Sequence, residues 1–203
     1  MIELELVVVL GLAAGVIGVL DTIPYVRDTL RGSTRPHRGT WLIWGVLAIV
    51  VTLSQYADGA SWSLIMASVQ AVVTALIFVL SIRRGEGGLT RTELTMMAVA
   101  GVGVAGWVIA DEPLVATGCV VAADLIGVGM MVPKTHRDPG SETLVTFAFA
   151  SLGGVLAAGA VGAWDLSLLL YPVYYCLANG AIALLIVTRR AALRSGVVVV
   201  TIR

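Results

Sequence analysis

The chain has 203 residues, of which 58% are hydrophobic and only 13% are charged, and its formal net charge is zero. A soluble domain of similar length carries about a quarter of charged residues, so the composition excludes an ordinary soluble fold. The basic residues lie in short segments beside apolar runs, which argues against a nucleic-acid-binding surface.

Seven apolar runs follow one another along the chain, and most approach the roughly 20 residues that a helix needs to cross a bilayer. The runs cover residues 6–26, 41–57, 62–82, 92–110, 114–133, 143–163 and 166–188. Several connections between them are very short, which favours antiparallel helical hairpins. The sequence therefore predicts an all-α membrane protein with seven transmembrane helices.

The Lys and Arg residues predict the orientation of these helices. All 13 of them fall in the first, third and fifth connections or in the C-terminal tail, and none lies on the other side. Positive residues accumulate in cytoplasmic loops, so we expect the N-terminus outside and the C-terminus in the cytoplasm. The expected location is the cell membrane, inner or plasma, crossed by several helices.

Matching residues at the ends of the predicted helices in the two halves of the chain predict an internal repeat. A proline ends the first helix, a threonine precedes the second, and an arginine pair follows the third. The matched positions are Pro24 and Pro133, Thr40 and Thr143, and Arg83-Arg84 and Arg189-Arg190. This predicts two parallel three-helix repeats, residues 1–84 and 113–203, joined by a linker and fourth helix at 85–112. Solute sites in such repeat proteins lie near the midplane between the repeats.

The 3+1+3 order, with a proline and a basic loop closing the first helix of each half, resembles the SWEET and PQ-loop superfamily. Its members include sugar, amino-acid and vitamin transporters and also receptor-like proteins. The glutamine that follows proline in PQ-loops is replaced here by Tyr25 and Lys134. The runs TRPHRGTWLIWG, SETLVTF and LYPVYYCLANG more closely resemble a group of small bacterial seven-helix membrane proteins, a resemblance that implies no activity. Pro24 and Pro133 are expected to act as hinges, because proline bends a helix.

Two carboxylates fall inside the predicted spans, where an ionisable side chain is costly and suggests a functional site. Asp124 lies near the middle of the fifth span and Asp21 near the end of the first. We predict that both serve proton or ion coupling. Two alternatives remain open: Asp21 pairs with Arg27 or another loop arginine, and Asp124 is neutral and bonded to a facing Ser, Thr or Tyr.

Polar side chains on the third helix of each half predict a binding site. Tyr171, Tyr175 and Asn179 recur every four residues on one helix face. The resemblance implies an Asn on the third helix of each repeat and an aromatic ring from the second helix nearby. Asn179 fits this pattern. Gln70 differs from it, because the residue is not Asn and does not align with Asn179 in the repeat. The predicted substrate-binding residues are Asn179, Tyr175, Gln70, Trp44 and Asp124. Alternatively, Trp41 and Trp44 anchor the protein at the membrane interface, and the amides only join neighbouring helices.

The connections carry weaker signals. Arg31, Arg35 and Arg38 are candidates for binding anionic lipid headgroups, although the positive-inside rule alone explains them. Residues 85–88, which contain three glycines, are expected to form a flexible linker. Helix N-caps are expected at Thr40-Trp41 and at Ser141-Glu142-Thr143, where the charge of Glu142 would favour the start of a helix.

Two functions fit these patterns. The first is a transporter or facilitator of a small polar solute, expected to be neutral, that works by alternating access between the repeats. The alternative is a non-transporting receptor, sensor or accessory subunit of the same fold. An intramembrane enzyme is disfavoured because only two carboxylates lie within the spans. Cys119 and Cys176 fall in apolar runs without metal-binding spacing, so no metal or cofactor is expected, and homo-oligomerisation stays open.

Overall fold

The computed structural model describes residues 2–57, 62–88, 90–110 and 113–195, and within them the chain is all-helical. The α-helices are α1 (Ile2–Leu20), α2 (Thr22–Arg31), α3 (Arg38–Ala57), α4 (Trp62–Arg84), α5 (Arg91–Ile109), α6 (Pro113–Arg137), α7 (Leu144–Gly159) and α8 (Leu166–Arg194). A short 3-10 helix spans Pro139–Ser141. The predicted all-α class is confirmed.

Each of the seven apolar runs falls on helix, with α1 and α2 sharing the first. Among the described residues, three stretches are long and apolar enough to cross a membrane: Glu5–Arg31, Thr117–Arg137 and Leu168–Arg194. Arg38–Val50 and Leu144–Gly159 are shorter apolar segments. These features are compatible with a membrane location, while the full seven-span topology stays a prediction.

The two prolines expected to act as hinges have different local structures. Pro24 lies in the first turn of α2, directly after the break at Asp21 between α1 and α2. A proline there cannot donate the hydrogen bond that would continue α1, which accounts for the break. Pro133 lies inside α6, which continues to Arg137. The hinge role of both prolines stays a prediction.

The helices pack in two similar groups. In the first, α3 packs on α4, and α2 and α1 also contact α4; in the second, α7 packs on α8 and α6 contacts α8. Between the groups, α1 and α2 lie against α7, and α3 lies against α6. Helix α5 packs on α6 and α3. Large apolar side chains remain exposed on the outer faces, including Leu12, Val72 and Val102.

The basic connections meet at one end of the molecule. The Arg35 N–H donates to the Ser141 carbonyl at 3.0 Å, and the Glu86 N–H donates to the Pro36 carbonyl at 3.0 Å. The guanidinium of Arg38 donates to three backbone carbonyls at the end of α4 and in the following segment, those of Ser81, Gly85 and Gly87. The expected flexible linker at residues 85–88 is therefore wrong, because this segment is braced against the start of α3.

Neither threonine forms the predicted side-chain cap. Helix α3 already begins at Arg38, and the N–H of Thr40 donates to Nδ1 of His37 at 3.3 Å. The Thr40 hydroxyl instead donates to the Gly127 carbonyl on α6 at 2.7 Å. Thr143 precedes α7 but makes no side-chain cap bond, and its hydroxyl lies 2.6 Å from that of Thr34. Both side chains are used for contacts between distant segments.

His37 couples the start of α3 to α5, and its environment predicts a pH dependence of stability. The ring is buried, its Nε2 lies 2.9 Å from Glu93, and its Nδ1 accepts from Thr40. Burial lowers the pKa of His37 below its ordinary 6.5, against the opposing attraction of Glu93. A histidine with a lowered folded pKa binds fewer protons in the folded state, so its contribution to stability is lost as pH falls below 6.5.

We therefore expect protonation of His37 to lower the thermal unfolding temperature in detergent as pH falls from about 7.5 to about 5. The His37→Asn variant, in which asparagine can still cap α3, lacks this contribution, so its unfolding temperature relative to the wild-type protein is expected to rise as pH falls. Titrating groups that do not contact His37 act equally in both proteins, so the difference between the two pH profiles is the informative quantity. Parallel profiles would contradict the role assigned to His37.

Candidate functional site

A cavity of about 450 Å³ lies where the two groups of helices meet. Its described lining comes from the α1–α2 junction and from α3, α4, α6, α7 and α8, with no residue from α5. The polar and aromatic lining residues are Asp21, Thr22, Trp41, Trp44, Gln70, Thr74, Thr117, Asp124, Thr146, Phe147, Tyr171, Tyr175 and Asn179. The volume is typical of a site for a small molecule.

The residues predicted to bind substrate lie together. Asn179, Tyr175, Gln70, Trp44 and Asp124 all line the cavity. Asp21, predicted for coupling, lines it too. The predicted hinges Pro24 and Pro133 do not line it, and neither do Arg31, Arg35 and Arg38. The structure thus brings the predicted binding and coupling residues together and leaves the hinges and the basic loop apart.

One wall is the polar stripe of α8. Tyr171 and Tyr175 are one helical turn apart, and their rings stack with centroids 5.9 Å apart and planes inclined by 29°. Asn179, one further turn along, is buried, and its Nδ2 donates to the Tyr175 carbonyl at 2.9 Å. No other hydrogen bond of the Asn179 side chain, and none of the Tyr171 and Tyr175 hydroxyls, is found within the described chain. Their remaining polar atoms are free to meet a ligand.

The second aromatic wall comes from α3. Trp41 and Trp44 lie edge to face, with ring centroids 5.1 Å apart and an interplanar angle of 82°. Trp41 is only 6% exposed, and its Nε1 donates to the Tyr25 hydroxyl at 3.0 Å. The interpretation of Trp41 as an interfacial anchor is therefore wrong. Phe147 of α7 contributes another ring and lies edge-on to Tyr25.

The two carboxylates are held by neutral donors. The Tyr174 hydroxyl donates to Asp124. The partner of Asp124 is thus a tyrosine, one of the three residue types considered above for a facing hydroxyl. Asp21 accepts from the Thr22 hydroxyl at 2.9 Å. The alternative in which Asp21 pairs with Arg27 is not observed, because the Arg27 guanidinium lies 3.3 Å from Asp28 instead. Tyr174 was missed because it lies off the Tyr171–Asn179 stripe, and no sequence spacing connects it with α6.

A buried polar network lies beside the cavity; it consists of Lys134, Glu142, Tyr25 and Trp41. Lys134 and Glu142 form an ion pair although both are almost fully buried. The Tyr25 hydroxyl donates to the other Glu142 oxygen at 3.0 Å and accepts from Trp41. The Lys134 ammonium also donates to the Arg35 carbonyl. Tyr25 and Lys134, which follow the two matched prolines, thus meet at one carboxylate.

Two threonine contacts cross between the helix groups in a similar way. The Thr40 hydroxyl of α3 donates to the Gly127 carbonyl of α6 at 2.7 Å. The Thr146 hydroxyl of α7 donates to the Asp21 carbonyl, at the end of α1, also at 2.7 Å. In both cases the second helix of one predicted repeat is bonded to the first helix of the other.

No group of three or more His, Cys, Asp or Glu side chains that could hold a metal ion occurs in the part of the chain that the structure describes. Cys119 and Cys176 are free thiols. Comparison of the chain with protein-family models, curated proteins and solved structures gives no match. The resemblance to the SWEET and PQ-loop superfamily therefore stays a prediction.

Proposed function

We propose that the chain is a multi-pass membrane transporter or facilitator of a small polar solute. In this proposal seven helices cross the cell membrane in a 3+1+3 order, with the N-terminus outside. The observation that carries it is the cavity of about 450 Å³ between the two helix groups. Every helix of the two predicted repeats contributes to this cavity or borders it at the α1–α2 junction, whereas none of the described residues of the predicted linker helix α5 lines it.

The surface and the loops support the membrane setting. Exposed apolar side chains cover the outer helix faces, where lipid would surround them. The first, third and fifth connections, which carry most of the Lys and Arg residues, contact one another at one end. Their common location is what the positive-inside rule expects of cytoplasmic loops.

The packing supports two equivalent three-helix units. The contacts of the first helix group have counterparts in the second. The α3–α4 contact corresponds to α7–α8, and the α1–α7 contact corresponds to α6–α3. The hydrogen bonds that the Thr40 and Thr146 hydroxyls donate to backbone carbonyls correspond to each other in the same way. Such an arrangement suits rocking of one unit against the other around a central site.

The buried polar network suits a closed end. The network lies between the cavity and the basic connections. It joins four segments: α6 through Lys134, the segment before α7 through Glu142, α2 through Tyr25, and α3 through Trp41. In alternating access, the opening of this end would separate Tyr25 from Glu142, which belong to different units. The network is therefore the contact that we expect to change between the two states.

Uptake into liposomes containing the purified protein tests this function. We expect a solute from a panel of sugars, amino acids and small amines to accumulate, and Asn179→Ala and Asp124→Asn each to reduce the rate about tenfold or more. Leu177→Ala is the matched control, because Leu177 is exposed on the outer face of α8. No accumulation of any solute, or rates insensitive to both cavity variants, would contradict the proposal.

The non-transporting alternative needs loop arginines available to a partner protein. Arg38, Arg84, Arg189 and Arg190 instead donate to backbone carbonyls of the same chain. Arg35 contacts Glu86 at 3.5 Å and also pairs with Asp138. These internal contacts leave fewer loop arginines for a partner and so favour the transporter. Of the three arginines proposed to contact lipid headgroups, Arg31 and Arg35 are exposed and Arg38 is partly buried.

A further inference from the structure

We propose that the cavity between the helix groups binds a small organic cation, such as a substituted ammonium ion, through its two aspartates and its aromatic rings. This inference rests on the proposed function, because it names the substrate class of the same site. It departs from the neutral solute that the sequence suggested.

The first argument is the charge of the cavity. Asp21 and Asp124 line it, whereas no lysine, arginine or histidine among the described residues does. The nearby Lys134 is paired with Glu142 and donates to backbone carbonyls, so it does not balance the two aspartates. A carboxylate inside a membrane protein without a cationic partner is costly. A positively charged ligand would supply the missing countercharge.

The second argument is the aromatic lining. Trp41 and Trp44 of α3 and Tyr171 and Tyr175 of α8 present rings to one volume. Cations are attracted to aromatic ring faces, most strongly where water is excluded, and quaternary ammonium groups are commonly bound in this way. Rings alone would also suit a neutral sugar, so the choice depends on their combination with the carboxylates.

The third argument is that rings and carboxylates converge. Tyr171 and Tyr175 line the same cavity as Asp21 and Asp124. Asn179 is 9% exposed and lines the same cavity, and its Oδ1 accepts no hydrogen bond from another described residue. That oxygen is available to an N–H or O–H group of the ligand. A volume of about 450 Å³ limits the ligand to a small molecule.

Choline and 3,3-dimethylbutan-1-ol test the charge requirement on the wild-type protein, because they have nearly the same shape and differ in the central N⁺ or C atom. Binding is measured by calorimetry on the full chain in a nonionic detergent. Tetramethylammonium and phenyltrimethylammonium extend the cation series to smaller and larger sizes. We expect at least one cation to bind, and choline to bind roughly tenfold more tightly than its neutral isostere. Equal binding of the isostere, or no binding of any of the three cations, would overturn the inference.

Variants identify the site. Asp124→Asn is expected to weaken cation binding about tenfold, whereas Asp138→Asn, in the connection before α7 and outside the cavity, should leave it unchanged. Equal losses in both variants would overturn the assignment of the cation to this cavity. If Asp124→Asn does not fold, the wild-type comparison with the isostere remains decisive.

Uptake experiments separate this inference from the proposed function. Cation binding without uptake of any solute would contradict transport but support the cation site. Uptake of a neutral solute by a protein that binds none of the cations would support transport and overturn the cation site.

Discussion

Replacement of Lys134 by methionine is expected to lower the free energy of unfolding by about 3–5 kcal/mol. Methionine fills much of the same space, but it leaves the Glu142 carboxylate buried without its cation. It also removes the donor that Lys134 supplies to the Arg35 carbonyl. The Glu142 carboxylate would keep the hydrogen bond from the Tyr25 hydroxyl but lose its countercharge, so removing one partner costs more than the pair contributes.

Thermal or denaturant unfolding in detergent measures this effect. Arg137→Met is the matched control, because Arg137 lies one turn further along α6 and is exposed; its change should stay within about 0.5 kcal/mol. The double variant Lys134→Met/Glu142→Leu should recover part of the loss, because it removes both charges together. Equal effects of Lys134→Met and Arg137→Met would contradict a structural role for the buried pair.

Periodicity predicted the cavity-lining face of α8 from the sequence. Side chains four residues apart share a helix face, so Tyr171, Tyr175 and Asn179 had to point in one direction wherever the helix packed. The long apolar runs predicted helices for a similar reason, since a bilayer leaves few other structures for a chain. Asp124 could be recognised as a candidate site residue because placing a carboxylate within an apolar membrane segment costs free energy.

Contacts between distant segments could not be predicted in this way. Lys134 directly follows an apolar run, and the positive-inside rule is sufficient to account for a lysine at that position. No feature of the neighbouring sequence indicates that its side chain is buried against Glu142. The same holds for Tyr174, whose partner Asp124 lies on α6. Residues 85–88 have a composition typical of a flexible linker, yet Arg38 fixes them through backbone carbonyls, which carry no sequence signal.

Gly154→Ala is expected to lower the free energy of unfolding by about 1–3 kcal/mol and to move α8 away from α7. A methyl group at Gly154 would lie 2.6 Å from the backbone nitrogen of Cys176 and 2.8 Å from its Cα. A rotamer change cannot relieve this overlap, because the atoms belong to the backbone of α8. The close approach of α7 and α8 thus requires a residue without a side chain at this position.

The neighbouring Gly153 provides the control for this variant. A methyl group there would meet Ile17 Cγ2 at 3.5 Å, an ordinary van der Waals distance, and alanine favours the helix over glycine by up to about 1 kcal/mol. Gly153→Ala should therefore be neutral or stabilising in the same unfolding measurement. Because Tyr175 directly precedes Cys176, displacement of α8 should also disturb the cavity wall, and choline binding should weaken in Gly154→Ala alone. If the two variants lose equal stability, the cost comes from the loss of glycine itself and not from the close contact of α7 with α8.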